Sequence, residues 1–368
     1  MALTAPTSTR EPRDAHKLDN AALLRWLVDN VDACRGATRA TVRQFKGGQS
    51  NPTYWVGVEG VASSPAGELE LVLRKKPPGD LLPSAHAVER EYRIMKALDG
   101  TGVPVPKALS LCDDARVIGT PFFVMRHVDG RIFWDPTLPE LATRNDERAD
   151  VYRDYVRVLA NLHQVDHAKV GLGDYGKVGG YVARQVDRWS KQYEASRTSA
   201  IPAMEALLAF VRSKTPASDE TTLIHGDYRI DNMIYSKESP PKAIAVIDWE
   251  LSTLGHPVSD LAYACMGYHL NLPGRGGLAG VDVAALGIPN EAGMVDAYCA
   301  LTGRPSIADW PYFMAFGIFR LAAIAQGVFK RSLQGNASSD NASSYGAAVT
   351  MLAELGCSIA AIETTSTS

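Results

Sequence analysis

Leu223-Ile224-His225-Gly226-Asp227-Tyr228-Arg229-Ile230-Asp231-Asn232-Met233-Ile234-Tyr235 sets two short apolar runs on either side of a polar loop. Further on, a third apolar run, Ala243-Ile244-Ala245-Val246-Ile247, ends at once in Asp248-Trp249-Glu250, so an acid stands at the end of a buried strand. An aspartate followed five residues later by an asparagine, with another aspartate closing a nearby strand, can converge on one pocket. Phosphoryl transfer needs such a set, because its transition state asks the protein for positioning and charge neutralisation more than for covalent chemistry. Magnesium takes hard oxygen ligands, one or two of them from protein. The Asp248 carboxylate and the Asn232 amide oxygen suit that role, which leaves Asp227 to orient an acceptor hydroxyl and take its proton.

Outward from this loop the chain changes character. Before it, residues 41–45, 53–58 and 69–74 are short, rich in β-branched and aromatic side chains, and separated by turns containing Gly or Pro, so they predict antiparallel strands. Residues 108–112 and 122–127 add two more, giving a sheet of about five strands with one helix inserted after the third. That helix carries Val88, Tyr92, Met95 and Leu98 at helical spacing, with Ser84 as a possible cap and Gly100 as its stop. An earlier helix over residues 21–31 has Asp19 as its cap. Helical patterns then dominate, over residues 150–163, 181–193 and 202–211. The division expected is a flexible tail over 1–18, a sheet-rich lobe over 19–127, a helical lobe over 128–362, and a fraying end over 363–368.

Length and composition agree with this division. A chain of 368 residues is long for one core and favours two lobes with a cleft. With 46% hydrophobic and 21% charged residues and a net charge of -3, it has the profile of a soluble enzyme with a small partner, and a nucleic-acid partner is not expected. Five widely spaced cysteines without a C-x-x-C pair read as reduced thiols of a cytoplasmic protein. Residues 314–329, the most apolar late stretch, are interrupted by Arg320 and read as too short to cross a bilayer unaided, so no membrane partner is expected.

The spacing His225-x-Asp227-x-x-x-x-Asn232 matches a kinase catalytic loop, with Gly226 where protein kinases place arginine. Together with Ile247-Asp248-Trp249-Glu250 it resembles the aminoglycoside phosphotransferase and choline kinase family over roughly residues 45–263. Within that family, Leu71-Val72-Leu73-Arg74-Lys75-Lys76-Pro77-Pro78-Gly79 and Leu82-Pro83-Ser84-Ala85-His86 resemble the phosphotransferase-like domain found with acyl-CoA dehydrogenases. The resemblance implies an α+β, bilobal protein-kinase-like fold that uses ATP and Mg2+ to phosphorylate a hydroxylated small molecule. A hydroxyacyl group or hydroxyacyl-CoA is the acceptor this branch implies, with an amino alcohol or sugar still open.

Carried over by position, Lys46-Gly47-Gly48-Gln49-Ser50-Asn51 falls where the family has its nucleotide loop, so Gly47, Gly48 and Ser50 are candidate phosphate contacts. Arg74 matches the phosphate-binding base of the third strand. Lys76, on the same sheet face by the two-residue period, is its rival, and Lys75 points the other way. Glu91 matches the ion-pair partner of that base, with Glu89 close by. Met125 and His127 fall at the hinge, where backbone groups would meet the adenine edge. His225 braces the catalytic loop, and Asp260 matches an aspartate that supports it from below. Arg184, Arg188 and Lys191 share one helical face on a segment that implies an acceptor wall.

No activation segment fits between Asp248 and Asp260, which argues against a peptide substrate. The alternatives are a catalytically inactive kinase-like nucleotide-binding or interaction module, and a metal-dependent hydrolase using His225, Asp227 and Asp248.

Overall fold

The computed structural model describes residues 3–13, 16–47, 51–77, 87–214, 216, 218–272, 276–334 and 342–363. The chain divides into two units: Met1–Arg131 with Ile234–Ser236 and Ile244–Glu250, and Ile132–Met233 with Lys237–Ala243 and Leu251–Ser368.

The first unit holds β1 (Thr9–Arg10), α1 (Asn20–Asn30), β2 (Arg39–Phe45), β3 (Thr53–Glu59), β4 (Glu68–Lys75), α2 (Val88–Leu98), β5 (Ala108–Cys112) and β6 (Phe122–Arg126). They form an antiparallel sheet of six strands in the order β1-β2-β3-β4-β6-β5. Alternation along β4 sorts its side chains: Leu69, Leu71 and Leu73 join Tyr54, Val56, Val58, Phe122 and Val124 in a core closed by Leu23 and Leu27 of α1 and by Val31 just after it. Val72 and Arg74 take the opposite face by the same period. Asp19 caps α1, its carboxylate accepting the Ala22 N–H at 2.9 Å. Ser84, the cap expected for α2, lies outside the described residues, and Ala87 at the helix start makes no side-chain cap.

The expected flexible tail is corrected at β1. Thr9 and Arg10 pair with Phe45 and Gln44 on the open edge of β2, Thr9 is buried, and Lys46 Nζ reaches the Thr7 carbonyl at 3.0 Å. Edge pairing needs an extended backbone but no apolar pattern, and two residues carry no period to read.

The second unit holds α3 (Asn145–Gln164), α4 (Tyr181–Ser196), α5 (Pro202–Ser213), β7 (Thr222–Ile224), β8 (Met233–Tyr235), β9 (Ala243–Val246), β10 (Thr253–Gly255), α6 (Pro257–Cys265), α7 (Glu291–Thr302), α8 (Trp310–Leu333) and α9 (Ala342–Ile359), apart from the parts of β8 and β9 that belong with the first. β7 pairs antiparallel with β10, with Ile224 opposite Thr253, so the loop over residues 225–232 leaves a strand clamped by the segment just after Asp248.

α8 also corrects the sequence reading, since it runs for 24 residues and is long and apolar enough to cross a bilayer by length and composition. Of its most apolar window, 67% is buried inside the protein, and it packs on α4, α5, α6 and α9. Its apolarity therefore serves a core helix.

Candidate active site

In the second unit the loop over residues 225–232 is shaped by Gly226 and Asp260. Gly226 has φ +82°, and a Cβ there would lie 2.6 Å from the Leu251 carbonyl oxygen. No arginine could stand at this position without moving backbone, which explains the departure from the protein-kinase pattern. The fully buried Asp260 accepts the N–H of His225 at 2.7 Å and of Gly226 at 2.8 Å, and meets His163 Nε2 at 3.3 Å. Burial alone would raise this carboxyl; the bonds and charges of His163 and His225 outweigh it and hold the pKa below its ordinary value.

Replacing Asp260 by asparagine turns an acceptor into a group with two donors facing two backbone N–H groups. It is expected to destabilise the protein by about 2–3 kcal/mol, read by urea denaturation at pH 7. A carboxyl with a lowered folded pKa contributes its stability above the ordinary carboxyl range and loses it only as pH falls through the lowered value. The stability difference between wild type and Asp260→Asn should therefore hold from pH 6 to 8 and shrink in acid.

His225 is fully buried, and its Nδ1 accepts the Asp227 N–H at 3.3 Å. It holds the loop and is buried away from solvent. Asp227 is itself held at both oxygens: Tyr263 Oη donates to Oδ1 at 2.6 Å, Arg229 Nε stands 3.3 Å from the same oxygen, and Asn232 Nδ2 donates to Oδ2 at 3.1 Å. Asn232 Nδ2 also donates to the Asp227 carbonyl at 2.9 Å. Both acceptors fix the amide with its nitrogen toward Asp227, so the Asn232 oxygen is the atom turned away and free to ligate. Arg229 and Tyr263 were not singled out from sequence. Tyr263 carried one readable signal, since it stands three residues past Asp260 and so shares its face of α6.

In the first unit Arg74 is buried, its Nε 3.0 Å from Glu91 and its terminal nitrogen 2.7 Å from Asp248 and 3.4 Å from Glu250. Lys76 pairs instead with Glu89 at 2.9 Å in a more exposed position, and Lys75 Nζ turns to the Ile118 carbonyl at 3.1 Å. The two open choices thus fall into two separate pairs, of which only Arg74–Glu91 reaches Asp248. Burial pushes the Glu91 carboxyl up to about 7, Arg74 pulls it down, and the negative charges of Asp248 and Glu250 add to the rise. Asn51 Nδ2 adds a bond to Glu91 at 2.8 Å. Asp248 and Glu250 bring two carboxylates to one guanidinium, hard oxygen donors of the kind magnesium takes, though no cluster of three or more His, Cys, Asp or Glu that could hold a metal is present among the described residues. Asp248 itself sits at φ +67°, a conformation uncommon outside glycine and seen at functional sites.

The remaining candidates are placed as follows. Gly47 is exposed with nothing within 4 Å of a Cβ built on it, and Gly48 and Ser50 lie outside the described residues. Met125 pairs with Val72 and Ala108 in the sheet. His127 Nδ1 meets Glu70 Oε2 at 2.9 Å, an oxygen that also accepts Trp55 Nε1 at 2.7 Å. The N–H groups of Arg126 and His127 are already given to the carbonyls of Lys107 and Glu70, at 2.9 and 3.2 Å. An adenine edge here would meet carbonyl oxygens or the residues that follow, a refinement of the expected hinge contact. In the expected basic stripe, Arg184 folds back on the carbonyls of Gly179 and, at 3.0 Å, Lys177, while Lys191 pairs with Asp187 at 2.8 Å. Two of the three cations are engaged locally.

A six-stranded antiparallel sheet with a buried Arg–Glu pair, and a helical unit carrying the Asp227–Asn232 loop, agree with the class of kinase-like small-molecule phosphotransferases. The chain belongs to the phosphotransferase enzyme family, whose model matches residues 41–294. It is 43% identical to a crystal structure from Ralstonia eutropha that carries the provisional name aminoglycoside phosphotransferase, with a TM-score of 0.83, covering 94% of this chain and 99% of that one. Choline kinase from Cryptosporidium parvum shares the fold at 10% identity and a TM-score of 0.61, over 92% of this chain and 96% of that one. Acyl-CoA dehydrogenase family member 10 of Mus musculus is 47% identical over 322 residues, 87% of this chain and 29% of that protein. The chain spans less than half the length of such curated relatives, reaching 45% of acyl-CoA dehydrogenase family member 11 of Rattus norvegicus.

Proposed function

We propose that the chain transfers the γ-phosphate of ATP to the hydroxyl of a small acyl-bearing molecule, a hydroxyacyl group or its coenzyme A thioester, in the cytoplasm. The observation that carries this reading is the Asp227–Asn232 pair: one amide nitrogen anchored on both the carbonyl and the carboxylate of Asp227. That bond orients the carboxylate as a proton acceptor and turns the amide oxygen outward as a ligand. In the proposed step the acceptor oxygen bonds to the γ-phosphorus, the bond to the β–γ bridging oxygen breaks, the hydroxyl proton passes to Asp227, and ADP leaves. Asn232 and Asp248 are the residues assigned to magnesium, which when bound neutralises charge on the phosphate oxygens. Arg74, oriented by Glu91, is the base assigned to the nucleotide phosphates. The acyl character of the acceptor follows the relatives' names, acyl-CoA dehydrogenase family members.

The test is an ATP-consumption screen with magnesium over hydroxylated metabolites, including hydroxy acids and their thioesters, confirmed by mass spectrometry of the phosphorylated product. A gain of one phosphate on a hydroxyacyl compound is the expected result. Magnesium-dependent nucleotide binding with no turnover on any acceptor would favour the inactive kinase-like module instead.

A further inference from the structure

Arg320 is a cation in the middle of an apolar helix, and no ion-pair partner lies on it among the described residues. Its guanidinium lies over the Trp189 ring, 5.6 Å from the centroid, and over the Tyr263 ring at 5.7 Å. Stacking occupies the faces of the group and leaves its N–H donors directed in the plane. Of these, one terminal nitrogen makes a long bond of 3.4 Å to the Gly226 carbonyl, and Nε is buried without a hydrogen-bond partner. The Ser259 hydroxyl is likewise buried and unpartnered. Both residues line one small cavity, with Gly226, Tyr263 and Asp260 also in its wall, the Asp260 oxygens being already bonded to the N–H groups of His225 and Gly226.

These facts have a chemical reading. Guanidinium donates only, so its buried N–H groups call for an acceptor atom, and the serine hydroxyl can supply a second donor to that atom. The cavity measures about 10 Å³, room for a single water-sized atom. An oxygen held there would stand beside Gly226, the residue before Asp227, and beside Tyr263, whose hydroxyl is bonded to the Asp227 carboxylate. Gly226 and Tyr263 thus tie the cavity to Asp227, one through the chain and the other through its 2.6 Å hydrogen bond.

We infer that Arg320 and Ser259 form a subsite for one acyl oxygen of the acceptor, a carboxylate oxygen or a thioester carbonyl, and so select hydroxyacyl compounds over plain alcohols. This rests on the reading that Asp227 receives the acceptor hydroxyl. Arg320 acts as a specificity-determining residue: its charge-assisted bond rewards the acyl oxygen, and an acceptor without one leaves the donors unmatched.

The experiment is calorimetric titration, without nucleotide, of 3-hydroxybutanoate, its coenzyme A thioester and butane-1,3-diol into wild type, Arg320→Met, Arg320→Lys and Ser259→Ala. Wild type is expected to bind an acyl probe at least about 10-fold more tightly than the diol, and Arg320→Met to erase that preference, a loss of about 10- to 100-fold. Arg320→Lys should restore part of it. Ser259→Ala removes a hydroxyl with no partner, so it should fold as wild type and still weaken the acyl probe severalfold, which keeps the test valid if Arg320→Met does not fold. Preference for the acid alone or the thioester alone names the source of the oxygen, and either supports the subsite. Equal binding of acyl probe and diol, no binding of any probe, or an undisturbed preference in both Arg320→Met and Ser259→Ala would overturn it and leave the cavity as a water site. Asp227→Asn should keep the binding preference. A preference without phosphate transfer would defeat the phosphotransfer reading alone, and transfer without the preference would defeat the subsite alone.

Discussion

Asp227→Asn is expected to lower turnover on the true acceptor by about 10²- to 10⁴-fold, the range for loss of a general base, while affinity for magnesium-ATP stays close to wild type. The carboxylate accepts hydrogen bonds from Tyr263 and Asn232 and pairs with the Arg229 guanidinium. An amide keeps the shape of the side chain and one acceptor oxygen, but it cannot take a proton from an alcohol and it brings an N–H toward groups that already donate. A modest fall in melting temperature should therefore accompany the kinetic loss. The structure adds a second, smaller effect: Tyr263→Phe removes the 2.6 Å bond to Oδ1 and leaves the base less well oriented. A loss of roughly 10-fold in kcat, with the ATP KM unmoved, is expected for it. Single-turnover kinetics on the phosphorylated acceptor read both; wild-type turnover in Asp227→Asn would remove Asp227 from the chemistry.

Asp227, Asn232 and Asp248 stand out in the sequence because their residue types and spacing are those that phosphoryl transfer would ask for. Sheet positions were readable for a similar reason, since the two-residue period put Arg74 on one face of its strand and Lys75 on the other. The period could not separate Arg74 from Lys76, nor the helix pattern Glu91 from Glu89. In each pair both residues point to the same side, and only packing decides which of them is buried. Asn51 shows the limit more sharply: it lies in a loop read for its glycines, yet it contacts Glu91 at a separation of 40 residues. Arg229, Tyr263, Ser259 and Arg320 likewise gain meaning from neighbours far away in sequence. Arg320 in particular reads in one dimension as a mere interruption of an apolar run. Gly226 was visible as a departure from a pattern, but its cause, a left-handed backbone pressed on the Leu251 carbonyl, needed coordinates.

Removing the Asp248 carboxylate is expected to weaken magnesium-ATP binding by at least about 10²-fold, because loss of even an outer-shell partner of a metal costs about 10- to 100-fold. The choice of replacement matters. At φ +67° an alanine pays for its Cβ in the left-handed region, whereas asparagine tolerates that conformation, so Asp248→Asn separates the lost charge from backbone strain. Arg74 loses its 2.7 Å partner in the alanine variant and keeps only a neutral amide oxygen there in the asparagine variant, but in both it retains Glu91 at 3.0 Å and Glu250 at 3.4 Å. The buried guanidinium therefore stays paired and the sheet should remain folded, so a binding defect can be read as a local one. Titration calorimetry with magnesium-ATP and with ATP in EDTA distinguishes the metal from the nucleotide. The expected pattern is a large loss in the first and a small change in the second. With one carboxylate fewer around Arg74, the metal-free nucleotide could even bind more tightly, since its phosphates would meet less negative charge. Equal magnesium-ATP affinity in wild type and Asp248→Asn would take Asp248 out of the metal site and leave it as a partner of Arg74 alone.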